Sequence, residues 1–267
     1  MRNVPPDGVA PNISEAIRKG HYARKQIFSK DWLISWSHRS RFQIGLGLAR
    51  QFSGKRILDY GCGDGTFLAM LMAGPWAASE ATGAEMLPRV VEDCRARFRD
   101  QPSLRFIVND ELKSPEHANA YDAIICMEVL EHVVDIEPVL DTFARSLAPS
   151  GKLLVSVPIE TGLPLMVKQA ARRIAGWRGI GDYPGTSPYT LREYFASVFA
   201  GRKQSITRPV YKDEKGNGFH DHKGFNWMAL GERLSQRFVI EKTFSSPVAW
   251  LPPQLASQVW FLARSKQ

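Results

Sequence analysis

The chain has 267 residues, of which 44% are hydrophobic and 23% charged, a composition typical of a globular protein with a sizeable core. Its net charge of +8 is uneven: residues 1–50 and 161–267 carry +6 and +9, whereas residues 51–160 carry −7. Three scattered cysteines argue against a disulfide framework and a thiolate metal site, and the polar first 20 residues predict no signal peptide, so we expect a cytoplasmic protein.

The first predicted elements are helical. Residues 21–52 indicate one or two helices, and their inward face is predicted to carry Trp32, Trp36, Phe42 and Leu46. Arg39, Arg41 and Arg50 remain available beside that face. We interpret residues 1–50 as a helical cap on the domain that follows.

Strands and helices then alternate through residues 51–160. Five short apolar runs predict strands: RILDY, SEATGAEM, LRFIVND, YDAIICME and KLLVSVP. Between them, TFLAMLMAG, MLPRVVEDCRARFRD and PVLDTFARSLAPSG predict helices, the last of which ends at Gly151. Apolar strands that alternate with helices predict a parallel sheet covered on both faces, and so the α/β class.

The last third adds an insertion and two strands. Residues 160–205 are too long for a plain crossover and contain a basic amphipathic helix, whose apolar stripe comprises Leu163, Met166, Val167, Ala170, Ile174 and Trp177, with Lys168, Arg172 and Arg173 off it. Such a stripe packs on the protein, lies over a substrate or contacts a membrane surface. RFVIEKTF and SQVWFLARSK predict the two final strands, and three prolines make the uncharged stretch around them a poor membrane span.

The turn GCGDG follows the first strand and contains Gly61, Gly63 and Gly65. In open α/β sheets, ligands bind beyond the carboxyl ends of the strands, and glycines let the backbone approach them closely. Glu85 closes the second strand, where a carboxylate can accept both ribose hydroxyls, and Asp110 closes the third, where it can meet an adenine amino group. The turn has no spare residue to seat a pyrophosphate, which argues against NAD and favours S-adenosylmethionine (SAM).

The segments ILDYGCGDGTFL, TGAEM, VNDELK, YDAIICMEVLEHV and LAPSGKLLVSVP lie in order over residues 54–158. They resemble class I SAM-dependent methyltransferases, particularly the branch related to the ubiquinone-biosynthesis O-methyltransferases. The resemblance implies a Rossmann-like seven-stranded methyltransferase sheet with an N-terminal helical cap (1–50), a SAM-binding core (51–160), and an acceptor-lid insertion after the fifth strand with the final strands (161–267).

The same resemblance implies the cofactor residues. The methionine and ribose part of SAM falls to Gly61, Gly63 and Gly65, its ammonium to Asp59 through water or the loop, its ribose to Glu85 and its adenine to Asp110. Cys62 and Asp64 receive no role, and the three cysteines are predicted to fill small apolar spaces.

A second group of polar residues follows the fourth strand. MEVLEHV places Glu128, Glu131 and His132 on one face if it is helical, and GFHDHKGFNW adds His222. This grouping resembles, more narrowly, the Hen-type small-RNA 2′-O-methyltransferases, which implies a divalent metal held by these four residues. The sequence departs from that pattern by an inserted glycine and by Asn226 in place of a glutamate. Three interpretations stay open: a metal site, a Glu–His hydrogen bond without metal, or His132 or His222 as general base.

The sequence therefore predicts SAM-dependent O-methylation of a small hydroxylated metabolite, lipid or sugar, with His132, His222 and Glu131 as catalytic residues. The basic flanks predict an anionic acceptor, and peripheral membrane contact through the basic helix stays open. One alternative is metal-dependent RNA ribose 2′-O-methylation, against which the sequence lacks an RNA-binding module and aromatics interleaved with basic residues. Another is a non-catalytic subunit that binds SAM or a partner.

Overall fold

The computed structural model describes residues 11–30, 32–177, 186–213, 216–248 and 250–266. Its α-helices are α1 (Pro11–Lys19), α2 (Trp32–Ala49), α3 (Thr66–Ala73), α4 (Pro88–Arg97), α5 (Glu137–Ser146), α6 (Gly162–Trp177), α7 (Leu191–Val198) and α8 (Trp227–Arg237). Its strands are β1 (Arg56–Tyr60), β2 (Glu80–Glu85), β3 (Leu104–Val108), β4 (Tyr121–Met127), β5 (Leu147–Pro158), β6 (Val210–Lys212), β7 (Gly218–His220), β8 (Phe238–Ser246) and β9 (Gln258–Ser265).

Within these residues, seven strands form one sheet in the order β3-β2-β1-β4-β5-β9-β8, and β6 pairs with β7 separately. Strand β1 pairs in parallel with β2 and with β4, β2 pairs in parallel with β3, and β8 and β9 are antiparallel. The carboxyl ends of parallel strands meet at one edge of a sheet, and this is the edge where a ligand can bind. The predicted α/β class with a seven-stranded sheet is confirmed.

The chain divides into two compact units. The first comprises residues 1–127 and 141–154 together with residue 267, and the second comprises residues 128–140 and 155–266. Ile57, Leu58 and Phe143 are fully buried in the first unit, and Leu234 and Trp260 in the second. Burying one such side chain stabilises a fold by about 1.5–3 kcal/mol. Because each unit buries side chains of this kind, each has a core of its own. The predicted boundaries at residues 50 and 160 stay predictions.

Helix α5 ends earlier than predicted. The pattern extends it to Gly151, but the structure ends it at Ser146 and begins β5 at Leu147. Pro149 disfavours the helical conformation at Ala148, so the chain becomes extended there.

Helix α2 buries Phe42 as predicted, against the rings of Tyr22 and Phe67. The prediction that Trp36 points inward is wrong, because 45% of its surface is exposed. Trp36 lies six residues before Phe42, which places it about 120° round a helix of 3.6 residues per turn. Leu46 is half-buried, and the side chain of Trp32 lies outside the described residues.

Packing on the protein was one of three interpretations left open for the apolar stripe of α6. The structure instead exposes this stripe. Leu163, Met166 and Val167 expose 51%, 43% and 62% of their surface. The side chains of Ile174 and Trp177 lie outside the described residues. Where it is described, the stripe of this helix therefore faces away from its own unit.

Among the described residues, no helix combines the length and apolar character needed to cross a bilayer.

Candidate cofactor and catalytic sites

The glycine turn lies in the first unit, between β1 and α3. Gly61, Gly63 and Gly65 all have left-handed φ angles, of 73°, 55° and 72°. A Cβ at Gly65 would come within 2.8 Å of the Phe106 ring, so this position needs glycine for packing as well as for conformation. A Cβ at Gly63 would meet nothing within 4 Å. The turn therefore presents bare backbone to open space at Gly63, as a close-fitting ligand requires.

Glu85, at the end of β2, holds this turn. Its Oε2 accepts a hydrogen bond from Gly63 N at 3.1 Å, and its Oε1 accepts from Met86 N and Leu87 N at 2.8 and 3.3 Å. A carboxylate has about four lone-pair sites, so after these three bonds Glu85 retains capacity for about one ribose hydroxyl. The sequence indicated Glu85 for its position at the strand end and gave no sign that it holds the turn.

Asp59, the penultimate residue of β1, is buried. Its burial, and secondly the charge of Glu85, raise the pKa of its carboxyl group from 3.8 to about 7. A buried carboxylate beside another carboxylate is stabilised by a nearby positive charge. The surroundings of Asp59 therefore suit a ligand with a positively charged group, and SAM has two such groups, an ammonium and a sulfonium.

Asp110 lies beyond the end of β3, in a short 3₁₀ helix (Asn109–Lys113). Its side chain is exposed, and it forms an ion pair with Lys113 at 2.7 Å. The sequence predicted Asp110 to close the third strand, whereas the structure ends β3 two residues earlier, at Val108. The contact of Asp110 with an adenine stays a prediction.

The second unit brings His132, His222 and Glu131 together. The Nε2 atoms of the two histidines are 3.3 Å apart, and Glu131 Oε1 lies 3.8 Å from His132 Nε2. His132 Nδ1 faces the carbonyl oxygen of His220 at 2.8 Å, so Nδ1 carries the hydrogen and Nε2 offers a lone pair to His222. The three predicted catalytic side chains thus share one cluster.

Glu160 faces this cluster from the end of β5, and sequence reasoning gave it no role. Its Oε1 lies 3.9 Å from His222 Nδ1, and it forms ion pairs with Lys168 at 2.9 Å and Arg172 at 3.3 Å. Burial alone would raise the pKa of Glu160, but these two cations outweigh it and lower the pKa. Glu160 is therefore a permanent negative charge, and Lys168 and Arg172 point toward it rather than into solvent.

Burial, and secondly the proximity of His132, lower the pKa of His222 to about 4. His222 is therefore neutral at physiological pH. His222 Nδ1 lies 3.9 Å from Glu160 Oε1, which is beyond hydrogen-bond distance. The hydrogen of neutral His222 therefore lies on Nε2 when the two rings share a hydrogen bond, and on Nδ1 when a cation lies between the two Nε2 atoms.

The segment that carries Glu131 is a turn and not a helix. Glu128 has a left-handed φ of 56°, which interrupts helical geometry at the end of β4. The condition under which Glu128, Glu131 and His132 would share one face, a helical segment, is therefore not met. Glu128 instead accepts hydrogen bonds from Ser156 Oγ at 3.2 Å and Gln258 Nε2 at 3.0 Å.

Three ligand atoms, one each from Glu131, His132 and His222, lie within 4.8 Å of one another. Imidazole nitrogen and carboxylate oxygen suit several divalent ions. Glu128 is not part of this group among the described residues. Asn226, where the metal-binding pattern has glutamate, caps α8 by accepting from Met228 N and Ala229 N. The arrangement fits a metal through three of the four residues implied by the sequence.

A family model described as a methyltransferase domain matches residues 36–200. The ubiquinone biosynthesis O-methyltransferase of Xylella fastidiosa (strain M23) is 34% identical over 107 residues, which cover 39% of this chain and 42% of that protein. The protein of the same name from Klebsiella pneumoniae subsp. pneumoniae is 29% identical over 167 residues, covering 58% and 65%. The chain thus spans less than two thirds of these curated relatives.

Solved structures agree on the fold. The PH0226 protein of Pyrococcus horikoshii OT3 superposes with a TM-score of 0.56 at 16% identity, over 92% of this chain and 98% of that one. The N-methyltransferase NodS of Bradyrhizobium japonicum WM9, in complex with S-adenosyl-L-homocysteine (SAH), gives 0.52 at 15% identity, over 96% and 100%. Because the family match covers more than half of its length, the chain belongs to the methyltransferase-domain family.

Proposed function

We propose that this methyltransferase acts on a hydroxyl oxygen of a small hydroxylated metabolite, lipid or sugar. The observation that carries the proposal is the pair of facing imidazoles, His132 and His222, next to Glu131. Methylation of a hydroxyl needs a group that accepts its proton, and a neutral histidine does this at physiological pH. The curated relatives are named O-methyltransferases, which supports oxygen as the acceptor atom.

In this proposal SAM supplies a methyl group already activated on a sulfonium. Asp59 faces the positive charge of SAM, and Glu85 accepts a hydrogen bond from its ribose. Asp110 lies at its adenine. The methionine and ribose part of SAM lies against the turn that contains Gly61, Gly63 and Gly65. His222 accepts the hydroxyl proton, and Glu160 stabilises the resulting imidazolium, since its charged carboxylate lies 3.9 Å from Nδ1. The protein then needs only to align the acceptor oxygen with the methyl group.

The test combines labelled SAM with candidate acceptor pools and identification of the labelled product by mass spectrometry. His222→Ala and His132→Ala should each lower kcat by about 100-fold or more, the usual contribution of a general base, while SAH affinity stays unchanged. Glu92→Ala, at an exposed side chain of α4 outside both sites, serves as the control. Wild-type kcat in both His132 and His222 variants would remove the proposed base.

A second candidate is a metal-assisted reaction, of which RNA ribose 2′-O-methylation is the example weighed from the sequence. The three ligand atoms within 4.8 Å favour it. If a cation acts here, EDTA should abolish turnover, and Mg²⁺, Mn²⁺ or Co²⁺ should restore it. Full activity in EDTA would reject the metal and leave the two histidines as bases. Transfer of label to RNA oligonucleotides rather than to small acceptors would favour the RNA substrate.

A lipid acceptor and peripheral membrane contact gain support from two helices of the second unit. Helix α7 exposes Leu191 and Phe195, at 78% and 55%, and Phe199, the residue that follows the helix, is 76% exposed. The spacing of four residues places these side chains on one face. Helix α6 exposes its own apolar stripe. Exposed apolar patches of this kind mark interaction surfaces. Flotation of the wild type and of the double variant Phe195→Ser/Phe199→Ser with anionic vesicles tests this membrane contact. The cytoplasmic location stays a prediction.

Only part of the charge argument for an anionic acceptor is consistent with the contacts of the arginines. Arg172 pairs with Glu160, and Arg41 is buried, donating to Tyr22 and to His38 Nδ1. These two arginines therefore do not form a free basic surface. Arg39 and Arg173 remain exposed as candidates for attracting an anion.

A further inference from the structure

Asp64 lies between Gly63 and Gly65 in the cofactor turn, yet its side chain is buried on the protein side. Its Oδ2 accepts a hydrogen bond from the backbone N of Ala23 at 3.1 Å. Its Oδ1 accepts from the backbone N of Thr66, the first residue of α3, at 3.2 Å. One carboxylate thus joins the N-terminal segment to the start of the helix that follows the turn.

Gly20 makes this contact sterically feasible. A Cβ at Gly20 would lie 2.3 Å from Asp64 Oδ2, closer than any real contact. The φ angle of Gly20 is not left-handed, so close approach to Asp64 is the constraint at this position.

Arg97 forms a second link between the same two segments. Its guanidinium donates to the backbone oxygen of Asp64 at 2.5 Å and to the backbone oxygen of Ala16 at 3.1 Å. Its Nε donates to Asp93 at 2.7 Å, which fixes the side chain along α4. Both the side chain and the backbone of Asp64 are therefore bound to residues that also hold positions 16–23.

We propose that Asp64 is a positioning residue for SAM: it fixes the glycine turn against residues 16–23, so that docking of this segment and SAM binding stabilise each other. The proposal rests on SAM binding at the turn. Two left-handed glycines flank Asp64, and glycines lose the most conformational freedom on ordering. A turn released from Asp64 spends less time in the binding conformation, and the apparent Kd rises in inverse proportion to that fraction.

The first test measures SAH affinity by calorimetry in matched glycine variants. Gly20→Ala places a methyl group against Asp64 Oδ2 without replacing any residue of the cofactor turn, and should weaken SAH binding about tenfold. Gly47→Ala, where an added Cβ meets nothing within 4 Å, should leave it within about twofold. Equal affinity of wild type and Gly20→Ala would overturn the proposal.

The second test asks whether the effect passes through Asp64. Asp64→Asn should also weaken SAH binding about tenfold, because its amide cannot accept from both N–H groups. In an Asp64→Ala background, Gly20→Ala should cause no further loss, whereas independent, additive losses would contradict the link.

Hydrogen exchange gives a readout that simple destabilisation would not move. SAH should slow amide exchange at residues 16–23 of the wild type and not of Asp64→Ala. Unchanged exchange at these residues in the wild type with bound SAH would overturn the proposal, also if the Asp64 variants fail to fold. Failure of the wild type to bind SAH would instead refute the cofactor site itself.

Discussion

Replacing Asp59 by asparagine should stabilise the protein while weakening its cofactor binding. The pKa of Asp59 is raised from 3.8 to about 7, and a tenfold change in an acid dissociation constant corresponds to about 1.4 kcal/mol. Between these two pKa values the folded protein holds a proton that the unfolded chain has lost, so the stability contributed by this group falls as the pH rises. Above pH 7 the ionised carboxylate costs the fold about 4 kcal/mol, which the neutral amide avoids.

Urea unfolding of wild type and Asp59→Asn at several pH values measures this cost. The variant should be more stable by up to about 4 kcal/mol at pH 8, by about 1–2 kcal/mol at pH 5 and by nothing near pH 3. Asp100→Asn, at an exposed carboxylate, should match wild type at every pH. A constant difference between Asp59→Asn and wild type across this range would refute the reasoning.

Three further outcomes are expected. Gly63→Val should abolish measurable SAH binding in calorimetry, because it fills the open space beside the turn and strains a left-handed φ; retained affinity would place the ligand elsewhere. Arg172→Gln should lower the free energy of unfolding by about 2 kcal/mol through its bond to buried Glu160, and Arg173→Gln by less than about 0.5 kcal/mol; equal urea midpoints would contradict the ion pair. With an anionic acceptor, kcat/KM should fall with ionic strength, and Arg173→Gln should flatten that dependence.

The cofactor half was predictable because it depends on local sequence and on strand order. Apolar runs predict the strands, Asp59 and Glu85 lie at the carboxyl ends of β1 and β2, and the carboxyl ends of parallel strands meet at one edge of a sheet. Gly63, Glu85 and Asp59 could therefore be located from their positions alone. The hydrogen bond from Gly63 N to Glu85 could not, since it depends on the three-dimensional path of the turn.

The cluster of His132, His222 and Glu131 was predictable in composition but not in geometry. Histidine and glutamate in MEVLEHV and GFHDHKGFNW suggested that the two segments meet, and the structure brings His132 and His222 to 3.3 Å. The left-handed Glu128 had no sequence signal, because non-glycine residues rarely adopt that conformation.

Glu160 was missed since its partners Lys168 and Arg172 look like the solvated face of an amphipathic helix. Helix α6 inverts the usual pattern, with cations turned toward a buried carboxylate and apolar residues exposed. Periodicity predicts that two faces differ, and only the neighbouring elements decide which of them is buried.

The most direct measurement of the central claim is SAH affinity of wild type, Glu85→Ala and Glu80→Ala by calorimetry. Glu85 and Glu80 lie at opposite ends of β2, and only Glu85 contacts the glycine turn. We predict that wild type and Glu80→Ala bind SAH equally, and that Glu85→Ala loses about 1.5–3 kcal/mol of binding free energy, the scale of a hydrogen bond to a charged group. Equal affinity of all three proteins, or no binding by the wild type, would contradict the assignment of this turn as the SAM site.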